Sequence, residues 1–354
     1  MRGPERPAPR SILIQAPNWV GDIVMATASF ADIRRAFPGA EISILLRPGR
    51  SGVLAGSPDA DRFLEDPTGR RPLGIPRLAK ELRRQGFDLA ILFTNSLRTA
   101  LLAYLAGIPR RVGYRSNLRG PLLTESVDAG RRWRKRVPEP MPAFYARLCE
   151  AAGVPSGDGR PRLHVTPACE ERAAELRRAL GISGKERLVG LNPGASFGAS
   201  KLWPPDRFAR VADEVSRRWG TRTLLLVGPG EESIAREILA ASGTRPIYDP
   251  ARPIPLDLLK PIVRDLALLV TTDTGTRHYA AAFGVPAVVV MGPTDPRWTA
   301  YCLERTEIVR RDVPCAPCHL KVCPIDHRCM RGISVEDVLR GIEALDCRLG
   351  IFGA

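Results

Sequence analysis

Short apolar runs separated by segments of helical period set the plan of this chain. Ile12–Gln15 is an apolar run of strand length, and Asp22–Phe37 reads as a helix. Glu41–Leu46 then alternates as a strand does, Leu73–Gln85 reads as a helix, Leu89–Phe93 as a strand and Leu97–Ala106 as a helix. The polar, Gly/Pro-rich stretch 155–161 marks a boundary, followed by a charged helix at Pro167–Leu180. Beyond it, strands are predicted at Leu188–Leu191, Thr223–Val227, Leu266–Val270 and Ala287–Met291, and a final helix at Val335–Leu345. Strands separated by helices imply right-handed crossovers and parallel sheets. The expected fold is therefore α/β, with two Rossmann-like doubly wound domains, residues 1–160 and 161–354.

Two strand-to-helix turns stand out in the second half. Leu266–Val270 leads into Thr271-Thr272-Asp273-Thr274-Gly275, which opens an Ala-rich helix ending at Gly284. Leu188–Leu191 leads into Asn192-Pro193-Gly194-Ala195-Ser196-Phe197-Gly198-Ala199-Ser200-Lys201-Leu202-Trp203-Pro204, ahead of a helix with Phe208, Val211, Ala212 and Val215 as its apolar face. A helix start offers unpaired N–H groups and the positive end of the dipole, and so suits an anion. Asp273 or Thr274 could equally serve as an ordinary helix cap. Two such loops together, with the Ser196 hydroxyl and the Lys201 cation, point to a nucleotide diphosphate. Glu231 and Glu232 open a third helix after the strand Thr223–Val227. A carboxylate there suits two ribose hydroxyls, or complements the helix dipole; the sequence does not separate these roles or the two residues.

Pro193–Pro204, Asp273–His278 and Gly292-Pro293-Thr294-Asp295-Pro296 resemble the motifs of glycosyltransferase family 9, the lipopolysaccharide heptosyltransferases. Pro17-Asn18-Trp19-Val20-Gly21-Asp22 and Asn95-Ser96 fit the same family. The resemblance runs from about Ile12 to Leu345, and the motif variants are similar to those of its heptosyltransferase II branch. It implies a GT-B architecture, the two domains facing across a cleft and the last helix crossing back to the first. It also implies inverting, metal-independent transfer of a heptosyl group from ADP-heptose to the first heptose of the inner core, with no cofactor.

Under that resemblance Asp22 acts as the base for the acceptor hydroxyl, where its residue type alone would equally suit an N-cap. Lys201, Ser196 and the Thr274 and Gly275 amides hold the leaving diphosphate, while Asp273 and His278 shape the donor site. Asn18, Trp19, Asn95, Ser96 and Arg115 are the acceptor-side candidates.

The 354 residues carry 53 Lys and Arg against 38 Asp and Glu, a net charge of +15 that favours anionic partners. The acidic core acceptor and the anionic inner-membrane surface meet that description. The basic run 131–136 reads first as a solvated loop and second as such a contact. No apolar stretch reaches the ~18 to 20 residues of a membrane span, and no signal-peptide core follows Arg2, Arg6 and Arg10, so a cytoplasmic protein is expected. Cys315, Cys318, Cys323 and Cys329, with His319 and His327 between, hold enough soft ligands for zinc. Their spacing matches no pair of Cys-x2-Cys knuckles, and free thiols in a loop lining the cleft are the preferred reading. A basic, zinc-bearing nucleic-acid-binding protein would explain the charge and the cysteines, but would leave both diphosphate loops without a purpose; no nucleic-acid partner is expected.

Overall fold

A computed structural model describes residues 7–69, 74–132, 135–184 and 186–353. The chain divides into two units, Met1–Arg162 and Leu163–Ala354, each built around its own parallel sheet.

The first unit runs β1 (Ser11–Gln15), α1 (Val20–Ala36), β2 (Glu41–Leu46), α2 (Ser51–Leu54), β3 (Arg62–Glu65), α3 (Ile75–Arg83), β4 (Leu89–Leu92), α4 (Leu97–Leu105), β5 (Arg110–Tyr114) and β6 (Glu125–Val127). A two-stranded ladder, β7 (Arg131–Arg132) with β8 (Lys135–Arg136), and α5 (Met141–Ala151) follow. The basic run thus forms this ladder in part; its Trp133 and Arg134 lie outside the described residues.

The sheet order is β3-β2-β1-β4-β5-β6, every neighbouring pair parallel. Both faces are covered, which is why the central strands are apolar at successive positions rather than alternating. Leu13, Ala90 and Leu92 pack with Leu78, Leu82, Leu102 and Ala103 of α3 and α4. Behind α1 and α5 an aromatic cluster forms, with Phe30 edge-on to Phe93 and Tyr114 stacked on Phe144 at 3.8 Å. Strand order reverses between β1 and β4, and in open α/β sheets ligands bind at the carboxyl ends of such strands.

The second unit contains α6 (Pro167–Ala179), β9 (Val189–Asn192), α7 (Pro205–Trp219), β10 (Thr223–Leu225), α8 (Glu232–Ala241), α9 (Leu259–Arg264), β11 (Leu268–Thr272), α10 (Gly275–Phe283), β12 (Ala287–Val290), β13 (Thr306–Val309), α11 (Arg328–Arg331) and α12 (Val335–Leu349). Its parallel sheet has the order β10-β9-β11-β12-β13, with the reversal between β9 and β11. Val189, Leu191, Val270 and Val288 pack against Phe208, Val211, Val215, Val338 and Ile342 of α7 and α12. Helix α12 starts with a capping box between Ser334 and Asp337, ends at Gly350 in the left-handed region, and packs on α7, β12 and β13.

Strand β11 is displaced from its predicted position by two residues. It continues through Thr271 and Thr272, both fully buried, because each hydroxyl finds an acceptor: Thr271 bonds Asn192 Oδ1 at 3.1 Å and Thr272 bonds the Gly194 carbonyl at 2.6 Å. Among the described residues no helix is long and apolar enough to cross a membrane.

Candidate functional site

In the second unit the two strands at the reversal end in the two loops singled out by sequence. Asn192, the last residue of β9, ties them together: its Oδ1 accepts from the hydroxyls of Thr271 and Thr274, at 3.1 and 2.8 Å. Thr274 occupies the N-cap position of α10, yet its side chain makes no capping bond. The capping alternative therefore fails for Thr274, whose hydroxyl is spent on Asn192.

Asp273 is nearly buried and accepts from Lys201 Nζ at 2.6 Å, Arg277 Nη1 at 3.1 Å and Thr294 Oγ1 at 2.7 Å. Burial by itself would raise the carboxyl, but Lys201 and Arg277 outweigh it and hold Asp273 well below the usual carboxylate range. Lys201 also donates to the Asp273 carbonyl at 2.8 Å, and its ammonium lies 5.1 Å from the centre of the Phe197 ring. It is thus pinned rather than mobile. With two cations on one carboxylate, this cluster carries one positive charge in excess.

His278 is buried, with Nδ1 2.5 Å from the Tyr301 hydroxyl and its ring stacked on Tyr301. Burial, aided by the Arg277 charge, depresses its pKa from 6.5 to about 3, so the imidazole is neutral at physiological pH. The unfolded chain takes up a proton near pH 6.5 that the folded chain refuses until about pH 3. The stabilisation from this neutral imidazole is full above pH 6.5 and is lost as pH falls through that window. Urea titrations should show stability declining towards acid, by up to about 1.4 kcal/mol per pH unit from this group, and His278→Asn should flatten the slope. An unchanged slope in the variant would show that the acid sensitivity arises elsewhere.

The structure separates the two glutamates. Glu231 Oε2 accepts from the Gly228 N–H at 2.8 Å, and the carboxylate lies so close to the β9 loop that a Cβ on Gly194 would sit 1.9 Å from it. Glu232 turns back to the Gly230 N–H on the exposed side. Only Glu231 reaches the strand-order reversal. Ser196 is exposed in the β9 loop, and Gly275 is the first residue of α10.

The cysteine-rich segment braces this loop. Cys318 and His319 donate backbone N–H groups to the Pro293 carbonyl, at 3.1 and 2.9 Å. Ser200 N–H donates to the Lys321 carbonyl at 3.0 Å, its hydroxyl donates to the Leu320 carbonyl, and His327 Nε2 lies 2.6 Å from the Ser200 carbonyl. A Cβ on Gly198 would fall 2.4 Å from the Lys321 oxygen, so only glycine admits this close approach. All eight cysteines are free. Burial raises the Cys329 thiol, and neighbouring Cys315, Cys318 and Cys323 raise it further. Among the described residues no group of three or more His, Cys, Asp or Glu is placed to hold a metal ion.

The reversal in the first unit gathers the other candidates. Helix α1 begins at Val20 with Trp19 as a cap that makes no side-chain bond, so Asp22 is a first-turn residue and not the N-cap. Its Oδ1 accepts from the Tyr145 hydroxyl of α5 at 3.0 Å. Asn18 Oδ1 accepts from Arg47 Nε at 2.6 Å, and Trp19 is exposed. Ser96 caps α4 through the Thr99 N–H. Asn95 accepts from Arg119 Nη2 through its side chain, at 3.1 Å, and from the Asn117 amide through its carbonyl, at 2.7 Å. Arg115 is exposed on the loop after β5.

Sequence reasoning had not singled out Tyr145, Asn192 or Arg277 for these roles. Asn192 and Arg277 lay inside the two quoted loops, whereas nothing around Tyr145 signals its contact with Asp22, more than a hundred residues away in sequence.

The family model of glycosyltransferase family 9 (heptosyltransferase) matches residues 75–328. The chain belongs to this family. It is 28% identical to lipooligosaccharide heptosyltransferase 2 of Haemophilus influenzae over 311 residues, covering 85% of this chain and 88% of the relative. Lipopolysaccharide heptosyltransferase 2 of Escherichia coli is 27% identical over 308 residues, 84% and 87% of the two chains. In structure, the chain is similar to a family 9 glycosyltransferase from Veillonella parvula (TM-score 0.78, 23% identity, 95% and 97% of the two chains covered). It is also similar to ADP-heptose lps heptosyltransferase II of E. coli (TM-score 0.75, 24% identity, 95% and 98% covered). The fold is GT-B and the protein is a glycosyltransferase.

Proposed function

We propose that this enzyme transfers a heptosyl group from ADP-heptose to the first heptose of a lipopolysaccharide inner core, with inversion and without a metal. The observation that carries the reading is the cluster at the β9/β11 reversal, where Lys201, Arg277 and Asp273 leave an excess positive charge beside the start of α10 and the Glu231 carboxylate. An ADP leaving group has two parts that this edge suits. Its diphosphate meets the pinned cation, the Ser196 hydroxyl and the Thr274 and Gly275 amides, and its ribose hydroxyls meet Glu231. The relatives named heptosyltransferase 2 supply the sugar.

In this reaction the acceptor oxygen forms a bond to the anomeric carbon as the bond from that carbon to the diphosphate oxygen breaks. The hydroxyl proton passes to Asp22, whose other role, accepting from Tyr145, fixes the carboxylate. His278, held neutral, shapes the donor pocket and moves no proton. The acceptor lies against Asn18, Trp19 and Arg115, and the enzyme works in the cytoplasm at the surface of the inner membrane.

A transfer assay decides the reading: purified protein with ADP-heptose and mono-heptosylated core lipid should yield the di-heptosyl product, in the presence of a chelator as in its absence. Product from another nucleotide sugar alone would keep the family and replace the donor. Loss of activity on chelation would overturn metal independence.

A further inference from the structure

Lys201 lies in the single turn Ala199–Lys201, closed by hydrogen bonds from the Lys201 N–H to the Gly198 carbonyl at 3.2 Å and from the Leu202 N–H to the Ala199 carbonyl at 3.1 Å. So short a turn has no ladder to fix its orientation, and tertiary bonds must do so. They come from the stretch between β13 and α12. Ser200, the residue before Lys201, gives its N–H to the Lys321 carbonyl at 3.0 Å and its hydroxyl to the Leu320 carbonyl, and its own carbonyl lies 2.6 Å from His327 Nε2. Trp203, two residues after Lys201, is buried edge-on to Phe208 and donates from Nε1 to the Ile333 carbonyl at 3.0 Å. Lys201 is therefore bracketed on both sides.

The same stretch holds a second loop that reaches Asp273. Besides the bonds to the Pro293 carbonyl, Cys329 and Met330 press on Gly292, where a Cβ would lie 2.9 Å from Cys329 Sγ and 2.6 Å from Met330 Sδ. Thr294 follows directly and donates to Asp273. Two side chains that meet on Asp273, Lys201 and Thr294, are thus carried by loops fastened to one segment. That segment is itself anchored, with Cys329, Met330 and Ile333 buried in the core of the second unit. His327 keeps a φ of 59°, a conformation that a non-glycine residue retains only where its surroundings over-determine it. Its Nε2 faces a carbonyl oxygen, so that nitrogen carries the proton and donates.

We infer that Ser200 and His327 are positioning residues for Lys201, and that the cysteine-rich segment acts on transfer through them by fixing the turn from which the ammonium meets the leaving diphosphate. A misplacement of about 1 Å at a reacting centre can cost on the order of a hundredfold in rate, so a clamp on this turn has leverage on catalysis without touching substrate. The inference rests on the proposed role of Lys201 at the diphosphate.

The test is a cycle of variants in the full chain, read by kcat for transfer and by calorimetric ADP affinity, each per folded enzyme. His327→Ala should lower kcat by roughly tenfold or more and weaken ADP binding severalfold. His327→Gln, whose amide can donate to the same carbonyl, should recover most of both. In the Lys201→Ala background His327→Ala should cost less than about twofold more, because the group it positions is gone. A merely structural role would give the same loss in both backgrounds. Ser200→Ala, which deletes the bond to the Leu320 carbonyl and keeps the main-chain bonds, carries the same cycle should His327→Ala fail to fold. Wild-type kcat and ADP affinity in the clamp variant, or equal losses with and without Lys201, overturn the inference. Wild-type transfer by Lys201→Ala alone overturns instead the diphosphate role on which it rests. A wild type that binds ADP but transfers no heptose overturns the proposed reaction, and the ADP arm of the cycle still decides the positioning.

Discussion

Lys201→Ala should lower transfer by roughly a hundredfold or more, as for removal of one preorganised donor to a developing negative charge, and should weaken ADP binding. The structure adds a second effect. Lys201 is the nearest cation to a buried carboxylate, 2.6 Å from Asp273, and breaking a buried pair typically costs about 3–5 kcal/mol. Arg277 and Thr294 remain on Asp273, so the stability loss belongs at about 3 kcal/mol, the lower end of that span. Lys201→Ala combined with Asp273→Asn removes the stranded charge, and denaturant titration should then recover most of the lost stability. Transfer should not recover. If the double variant regains activity together with stability, Lys201 is a structural partner of Asp273 and the diphosphate assignment falls.

What the sequence made legible follows the range of the interactions involved. Strand β2 was readable to the residue from its alternation, Ile42 and Ile44 between Glu41 and Ser43, and the start of β4 from the unbroken apolar run at Leu89–Leu92 that burial on both faces demands. Strand β5 was not, since Arg110 and Arg111 occupy its first half with their guanidinium groups bonded to Glu125 and to loop carbonyls. Both strand-to-helix loops of the second unit were visible through Gly194, Gly198 and the Asp273-Thr274-Gly275 turn, whose conformational demands are local. The choice between Glu231 and Glu232 was not, because it depends on the close approach of α8 to the β9 loop. The cysteine segment was conspicuous but unreadable. Its evident task, hydrogen bonds from Cys318, His319 and Ser200 across two loops, is carried mostly by backbone atoms and leaves no mark on residue type.

Asp22→Asn should abolish the base while leaving the site's shape in place. Asparagine matches aspartate in size and can still accept from the Tyr145 hydroxyl, now 3.0 Å from Oδ1, but takes no proton at neutral pH. General-base contributions are typically ~10² to 10⁴-fold, and the fall in transfer rate should lie in or beyond that span. The cluster proposed to hold the donor is built from second-unit residues, from Asn192 to Thr294, whereas Asp22 belongs to the first, so the ADP-heptose dissociation constant should scarcely change. Stability is the discriminating control. Because Asp22 sits in the first turn of α1 and is not its N-cap, the helix start loses a favourable charge worth about 0.3–1 kcal/mol in the substitution. A melting temperature lowered by a few degrees with transfer reduced at least a hundredfold separates proton transfer from helix stabilisation. Near wild-type transfer by Asp22→Asn would remove Asp22 from the chemistry. Activity that falls only as far as the folded fraction falls would reduce it to a helix-start charge that Tyr145 happens to hold.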